Sequence, residues 1–262
     1  MIKIEQIEFG GKKLNFVNYE SMAWAIHGMR NPKNSWAKSD SYFDEEGKLI
    51  LGENDKKLAT TLAKNGSVHG KFQRNIIVNA EITAPLYWWK EYDTYKVGTV
   101  ANSRSTMFKL TSRPLTIDDF SYDRTDRRGM DGLDRDIIYL NSRIEQYKAT
   151  KDNQTKQEVW DSIIQRLPSS YNQTRTCMLN YQVLSNIYEY RKNHKLQEWH
   201  DMCDWIETLP YADGLIYQNK REQIKDVVEK REKTEKDFEK PITISQNGIK
   251  LKPTIVLEFG NK

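Results

Sequence analysis

The stretch from Phe72 to Tyr95 constrains the fold more than any other part of the chain. Residues 72–83 place Val78, Ala80 and Ile82 on one side at a spacing of two, the pattern of a strand with one buried face. This strand runs into Ala84-Pro85, and Leu86-Tyr87-Trp88-Trp89-Lys90-Glu91-Tyr92 follows at once. Proline fixes the backbone torsion that a helix needs, and its missing N–H is one that a first turn leaves unpaired, so Pro85 suits a helix start. The helix is expected to reach about Tyr95, with Gly98 ending it.

The flanking sequence alternates between the same two element types. Ile2 to Val17 reads as a strand pair turning at Gly10-Gly11, and Tyr19 to Met29 as a helix broken by Asn31-Pro32. Residues 33–53 are polar and read as an excursion. Asn54 is the expected cap of a helix that turns Leu58, Leu62, Ala59 and Ala63 inward and stops at Gly66. Residues 99–112 are expected to form a polar loop. Residues 132–165 read as two helices, the first striped by Ile137, Ile138, Leu140, Ile144 and Tyr147. Leu167-Pro168 opens a segment expected to turn helical by Thr174 and to continue to Arg191; Leu196 to Leu209 is a further amphipathic helix, stopped by Pro210. The mixed charges of residues 219–240 suit a solvated helix or tail, and Thr243 to Phe259 a hairpin about Asn247-Gly248.

Composition narrows the function classes. The 41 basic residues nearly balance the 37 acidic ones, leaving a formal charge of +4, too even to make nucleic acid the leading partner. No apolar run approaches the roughly 18 residues of a membrane span, and the N-terminus lacks the apolar stretch of a signal peptide. Cys177 and Cys203 are too few for a disulfide framework, so a cytoplasmic setting is expected. No P-loop, G-x-G-x-x-G, H-E-x-x-H or G-x-S-x-G motif occurs. With His194 and His200 six residues apart, no metal site is expected.

Two polar segments stand out. Lys96 to Lys109 crowds Thr99, Asn102, Ser103, Arg104, Ser105 and Thr106 between apolar elements, a set of hydroxyls, amides and cations that suits phosphate; an ordinary polar loop has the same composition. The expected helix from Thr174 to Arg191 carries Asn180, Gln182, Asn186 and Arg191 among apolar residues. Asn180 and Arg191 are eleven residues apart, close to three turns, so on one helix they share a face about 16 Å apart. Buried amides need partners, from the protein or from a ligand.

The order of these segments resembles the flavin-dependent thymidylate synthases. In that family an Ala-Pro, an aromatic stretch and the motif R-H-R-x-x-S-x-N-x-x-S-x-R follow a strand, and Ala84-Pro85 through Lys109-Leu110 can be laid on it without a gap. Downstream, Leu167-Pro168, Asn180, Leu184, Asn186 and Arg191 are similar to the family's L-P and N-x-R-x-L-x-N-x-x-x-x-R, and Gln197-Glu198-Trp199 follows. The pattern departs where R-H-R becomes Thr94-Tyr95-Lys96, the first Ser Thr99, the Asn Ala101, the second Ser Arg104 and the last Arg Thr106; the helix Arg becomes Gln182. A one-residue slide recovers Asn102 and Ser105.

The resemblance, which spans roughly residues 54–210, implies an α/β (α+β) subunit with a mostly antiparallel sheet flanked by helices. Residues 1–53 would form an N-terminal addition, 54–218 the core, and 219–262 a charged helix and hairpin. The activity it implies is reductive methylation of dUMP to dTMP with methylenetetrahydrofolate, FAD and NADPH, in a homotetramer whose sites lie between subunits. By the same resemblance Arg191 is the catalytic residue, polarising the uracil ring and favouring its ionisation. His69, Lys96, Asn180, Gln182 and Asn186 would bind the flavin, and Thr99, Asn102, Arg104, Ser105 and Arg191 the nucleotide. The alternative is a catalytically altered descendant that serves as a nucleotide-binding or interaction module.

Overall fold

An antiparallel ladder between two nine-residue strands organises the fold, running from Ile77 opposite Asn180 to Pro85 opposite Asn172. The structure, a computed structural model, describes residues 2–218. In chain order its elements are β1 (Lys3–Glu5), β2 (Glu8–Phe9), β3 (Lys12–Lys13), α1 (Tyr19–Met29), β4 (Tyr42–Phe43), β5 (Leu49–Ile50), α2 (Glu53–Lys64), β6 (Ile77–Pro85) and α3 (Leu86–Tyr92). There follow β7 (Val100–Ser103), α4 (Thr106–Lys109), α5 (Arg127–Ala149), α6 (Asn153–Arg166), β8 (Asn172–Asn180), α7 (Tyr181–Arg191), α8 (Gln197–Glu207) and α9 (Ala212–Leu215). The main sheet has the order β1-β6-β8-β7, antiparallel throughout, with helices against it.

Period two decides which side of the sheet is buried. Val78, Ala80, Ile82 and Ala84 of β6 lie opposite Leu179, Cys177, Arg175 and Gln173 of β8, and the apolar members join a core with Trp88, Trp89, Tyr92, Leu184, Ile187 and Trp199. On the other face Thr83 and Thr174 meet hydroxyl to hydroxyl at 2.8 Å. Residues 1–53 share this core through Ile2, Val17, Met22, Ala25 and Ile26, and residues 2–217 form one compact unit. A second cluster joins α5 and α6 through Leu133, Leu140, Ile144, Val159 and Ile163 to Leu110, Leu115 and Phe120.

The observed elements differ from the expected ones at several points. Residues 174–180 are strand, not helix: a nine-residue ladder with β6 outweighs local preference, and the β-branched Thr174 and Thr176 fit it. The helix begins at Tyr181, so Asn180 and Arg191 do not share a helix face. Residues 99–112 hold β7, paired to β8, and α4, capped by the Ser105 hydroxyl, rather than a loop. Asn54 does not cap α2. Instead Asp40 accepts the N–H groups of Asn54 at 2.9 Å and Asp55 at 3.1 Å, a cap from across the loop. Ile138 is 70% exposed and Leu133 takes its place in the stripe. Gly10-Gly11 does turn a hairpin, but β1 pairs with β6 rather than within residues 2–17. The 33–53 excursion contains the β4–β5 hairpin. The readings for residues 219–262 lie outside the described residues. No helix among the described residues is long and apolar enough to cross a membrane.

Candidate functional site

The β7–α4 corner gathers positive charge. Pairing of β7 with β8 extends one step past Ser103, where the Arg104 N–H donates to the Thr174 carbonyl at 2.8 Å. The Gln173 side chain fastens the turn from below, its Nε2 donating to the Arg104 carbonyl (3.2 Å) and the Thr106 hydroxyl (3.1 Å). Ser105 then caps α4 by accepting the Phe108 N–H at 3.3 Å. This short, fixed path brings Arg104 and Lys109 to a polar cleft of 360 Å³ that also includes Arg113, Asp119, Tyr171 and Asn172.

The three cations of the cleft are not equivalent. Arg113 grips Asp119 with both terminal nitrogens, at 2.8 and 2.5 Å. Burial alone would raise the Asp119 pKa, but Arg113 and the Thr116 N–H hold it below the usual carboxylate range, so this pair is internally balanced. Arg104 and Lys109 are exposed, and among the described residues their side chains have no hydrogen bond or ion pair. The Tyr171 phenol is pushed up by burial and by Asp119, against the pull of Arg113 and Arg104, and stays protonated as a neutral wall.

At the other end of β8 the amides are committed to the protein. Asn180 caps α7: its Oδ1 accepts the Val183 N–H at 3.0 Å while its Nδ2 donates to the Gly98 carbonyl at 3.2 Å. Gly98 has φ +86°, and a Cβ there would lie 2.9 Å from Asn180 Nδ2, so glycine is required on both counts. Gln182 donates to Asn186 at 3.5 Å and keeps a buried Oε1 without a partner among the described residues. The Thr99 hydroxyl donates to the Tyr95 carbonyl at 3.0 Å. Asn186, Lys96, Asn102 and His69 are exposed. Asn180 lies six strand steps beyond Thr174, about 20 Å at the rise of a strand. Arg104 and Ser105 thus lie at the Thr174 end of β8, Asn102 stands opposite Thr176, and Asn180 is at the far end of the strand.

Arg191, at the end of α7, is held by residues from α3 and the turn after it. Its Nε donates to the Tyr95 hydroxyl and its Nη1 to Glu91 Oε2, each at 2.9 Å. The guanidinium lies 4.7 Å from the Trp199 ring centre. Glu91 Oε2 also accepts the Trp199 indole N–H at 2.9 Å and lies 3.5 Å from His194 Nε2. The guanidinium's Nη2 makes no hydrogen bond among the described residues. Sequence reasoning missed Glu91, Tyr95 and Arg113. Tyr95 replaces the motif's histidine, which was a signal, but Glu91 and Arg191 are 100 positions apart and nothing local joins them.

No family model and no curated protein matches this sequence. Solved structures do. Thymidylate synthase X from Helicobacter pylori with FAD and dUMP superposes at TM-score 0.59 and 16% identity, covering 83% of this chain and 98% of that one. A second structure of the Helicobacter pylori enzyme with the same ligands gives TM-score 0.56 and 16% identity, covering 77% and 95%. The chain has the flavin-dependent thymidylate synthase fold. A UMP/dUMP methylase, PolB from Streptomyces cacaoi, superposes at TM-score 0.49 and 13% identity over 79% of this chain and 89% of that one, too loosely to add to the assignment.

A flavin-dependent thymidylate synthase fold raises the question of whether the residues present suit a flavin. The most buried candidate, Asn180, has both ends of its carboxamide engaged. Gln182 offers one unpartnered oxygen, and the remaining three candidates lie on the surface. Of these five, Gln182 alone presents a buried polar atom without a partner among the described residues.

Proposed function

We propose that this chain binds a pyrimidine nucleotide, with the phosphate held at the β7–α4 corner by Arg104 and Lys109. One observation carries the reading: two cations without an ion pair among the described residues border a preformed cleft whose third cation, Arg113, is already balanced by Asp119. The fold adds support, since the Helicobacter pylori enzyme that shares it was solved with dUMP. Each charge-assisted bond to a phosphate oxygen contributes about 1.5–3 kcal/mol, roughly tenfold to a hundredfold in affinity. Calorimetric titration with dUMP tests this. Arg104→Ala/Lys109→Ala should weaken dUMP at least a hundredfold and leave deoxyuridine, which lacks the phosphate, unchanged. Equal dUMP affinity in the double variant overturns the assignment.

The resemblance extends the proposal to the parent reaction, reductive methylation of dUMP, in a cytoplasmic homotetramer with methylenetetrahydrofolate and NADPH. A second subunit would then complete the contacts that His69, Lys96, Gln182 and Asn186 begin, and FAD would supply the hydride. A second reading, a descendant that recognises the nucleotide without methyl transfer, is favoured by Arg191. Its charge is balanced by Glu91 and therefore gives a uracil ring less help in ionising. Reconstitution with FAD and dUMP-dependent NADPH oxidation separate the two: turnover identifies the enzyme, and dUMP binding with neither flavin uptake nor oxidation identifies the module.

A further inference from the structure

The cleft between α1 and the β4–β5 hairpin lies in the first 53 residues and has no part in the reading above. It measures 150 Å³ and is lined by Ile26, His27, Arg30, Trp36, Tyr42 and Phe43 among others. That volume matches a single six-membered ring; an apolar cavity of this size accommodates benzene. The walls are aromatic and ordered. The Trp36 ring stacks on His27 at 5.9 Å and 15°, and its indole N–H is fixed by Asn31 Oδ1 at 2.9 Å. Tyr42 and Phe43, 60% and 48% exposed, present two more large rings on the hairpin side. A concave site lined by aromatic rings with a few fixed polar groups has the make-up of a small-molecule pocket.

The decisive group is Arg30. Its residue is only 4% exposed, its Nε donates to Asp55 Oδ1 at 2.6 Å, and its Nη1 to the Ser35 carbonyl at 3.3 Å. Its Nη2 is buried and has no hydrogen-bond partner among the described residues. A buried donor left unpaired is costly, so this amino group calls for an acceptor. Asp55 is itself held by the hydroxyls of Ser39 and Ser41, at 2.6 and 2.7 Å, and by the N–H groups of Asp40 and Ser41, each at 3.1 Å. The carboxylate therefore cannot swing to satisfy Nη2, and it already balances the guanidinium charge. An anion is not required; a neutral carbonyl is sufficient. The Ser39 hydroxyl donates its proton to Asp55 and keeps its own oxygen available to a ring N–H.

We propose that this cleft binds a planar, neutral lactam ring, stacked against Trp36 with its carbonyl oxygen on Arg30 Nη2. Uracil is the probe, with benzene as the ring lacking an acceptor and 1,3-dimethyluracil as the ring lacking the N–H. Ligand-observed NMR titration of the full chain should give saturable uracil binding, with benzene and 1,3-dimethyluracil at least tenfold weaker. Trp36→Ala and, separately, Phe43→Ser should each weaken uracil at least tenfold without a matching loss of Tm, since both side chains stand at the surface. Arg104→Ala/Lys109→Ala should bind uracil as the unaltered chain does, which keeps this test apart from that of the phosphate corner. Absence of saturable binding, equal affinity for benzene, or uracil binding unchanged in both cleft variants would overturn the proposal, as would its loss on changing Arg104 and Lys109.

Discussion

Replacing Asp55 by Asn is the sharpest test of how the N-terminal part is held together. Asp55 is fully buried and Arg30 is 4% exposed, so the change leaves a buried guanidinium without its counter-charge. An amide keeps the shape but cannot accept at both ends: either Arg30 or the Ser39–Ser41 donors must face an NH₂ group. Breaking a buried ion pair on one side costs about 3–5 kcal/mol. For a unit of this size each kcal/mol moves Tm by roughly 2–4 °C, so a fall of about 6–20 °C is expected. The pH dependence supplies a second signature. Burial pushes the Asp55 pKa up, but Ser39, Ser41 and Arg30 outweigh it and hold the folded value below the ordinary one. With the folded value depressed, the carboxylate's contribution is complete above the unfolded pKa of about 3.9 and is lost as pH falls through the folded value. Urea unfolding at neutral pH and in acid should therefore show a large gap between the two proteins that narrows below about pH 4. A loss under about 1 kcal/mol, or a gap independent of pH, refutes the reasoning.

Asn180→Ala removes a helix cap and the donor to Gly98, and should cost about 1–2 kcal/mol by denaturant unfolding. Gly98→Ala meets both a positive φ and the Asn180 amide, and should destabilise by about 1 kcal/mol or more, whereas Gly132→Ala, a helical site with only Arg135 Nη2 nearby at 4.0 Å, should stabilise slightly. Burial raises the thiol pKa of Cys177 to about 11 and that of Cys203 to about 12. A thiol reagent at pH 8 should therefore label neither in the folded chain and both in urea. Glu91→Gln removes the carboxylate opposite Arg191 and should strengthen binding of an anionic ring analogue; unchanged affinity would show that the guanidinium does not meet the ligand.

The strand-to-helix switch at Pro85 was legible because both periods are written in adjacent residues and proline marks the join. The start of α7 was not. Between Thr174 and Asn180 the apolar spacing is compatible with either element, and what decides it is β6, almost a hundred positions earlier. Asn180 was singled out correctly as an amide that needs partners, yet those partners are a helix N-terminus and a glycine carbonyl. At the β7–α4 corner the sequence displayed Arg104 and Lys109 in one polar run. That Arg113 is cancelled, and so leaves the other two to act, depends on Asp119 folding back on it. The motif gaps at Thr94-Tyr95-Lys96 were visible too, but not that Tyr95 would turn its hydroxyl to Arg191.

The Glu91–Arg191 contact carries a consequence for solution behaviour. A ring that reached the remaining amino group of that guanidinium would meet a dipole rather than a bare cation, and would be selected in its uncharged, fully protonated form. Association would then release no proton. Its measured heat would be the same in buffers of different ionisation enthalpy, and its strength would stay flat as the medium is made alkaline until the free ring itself loses its hydrogen.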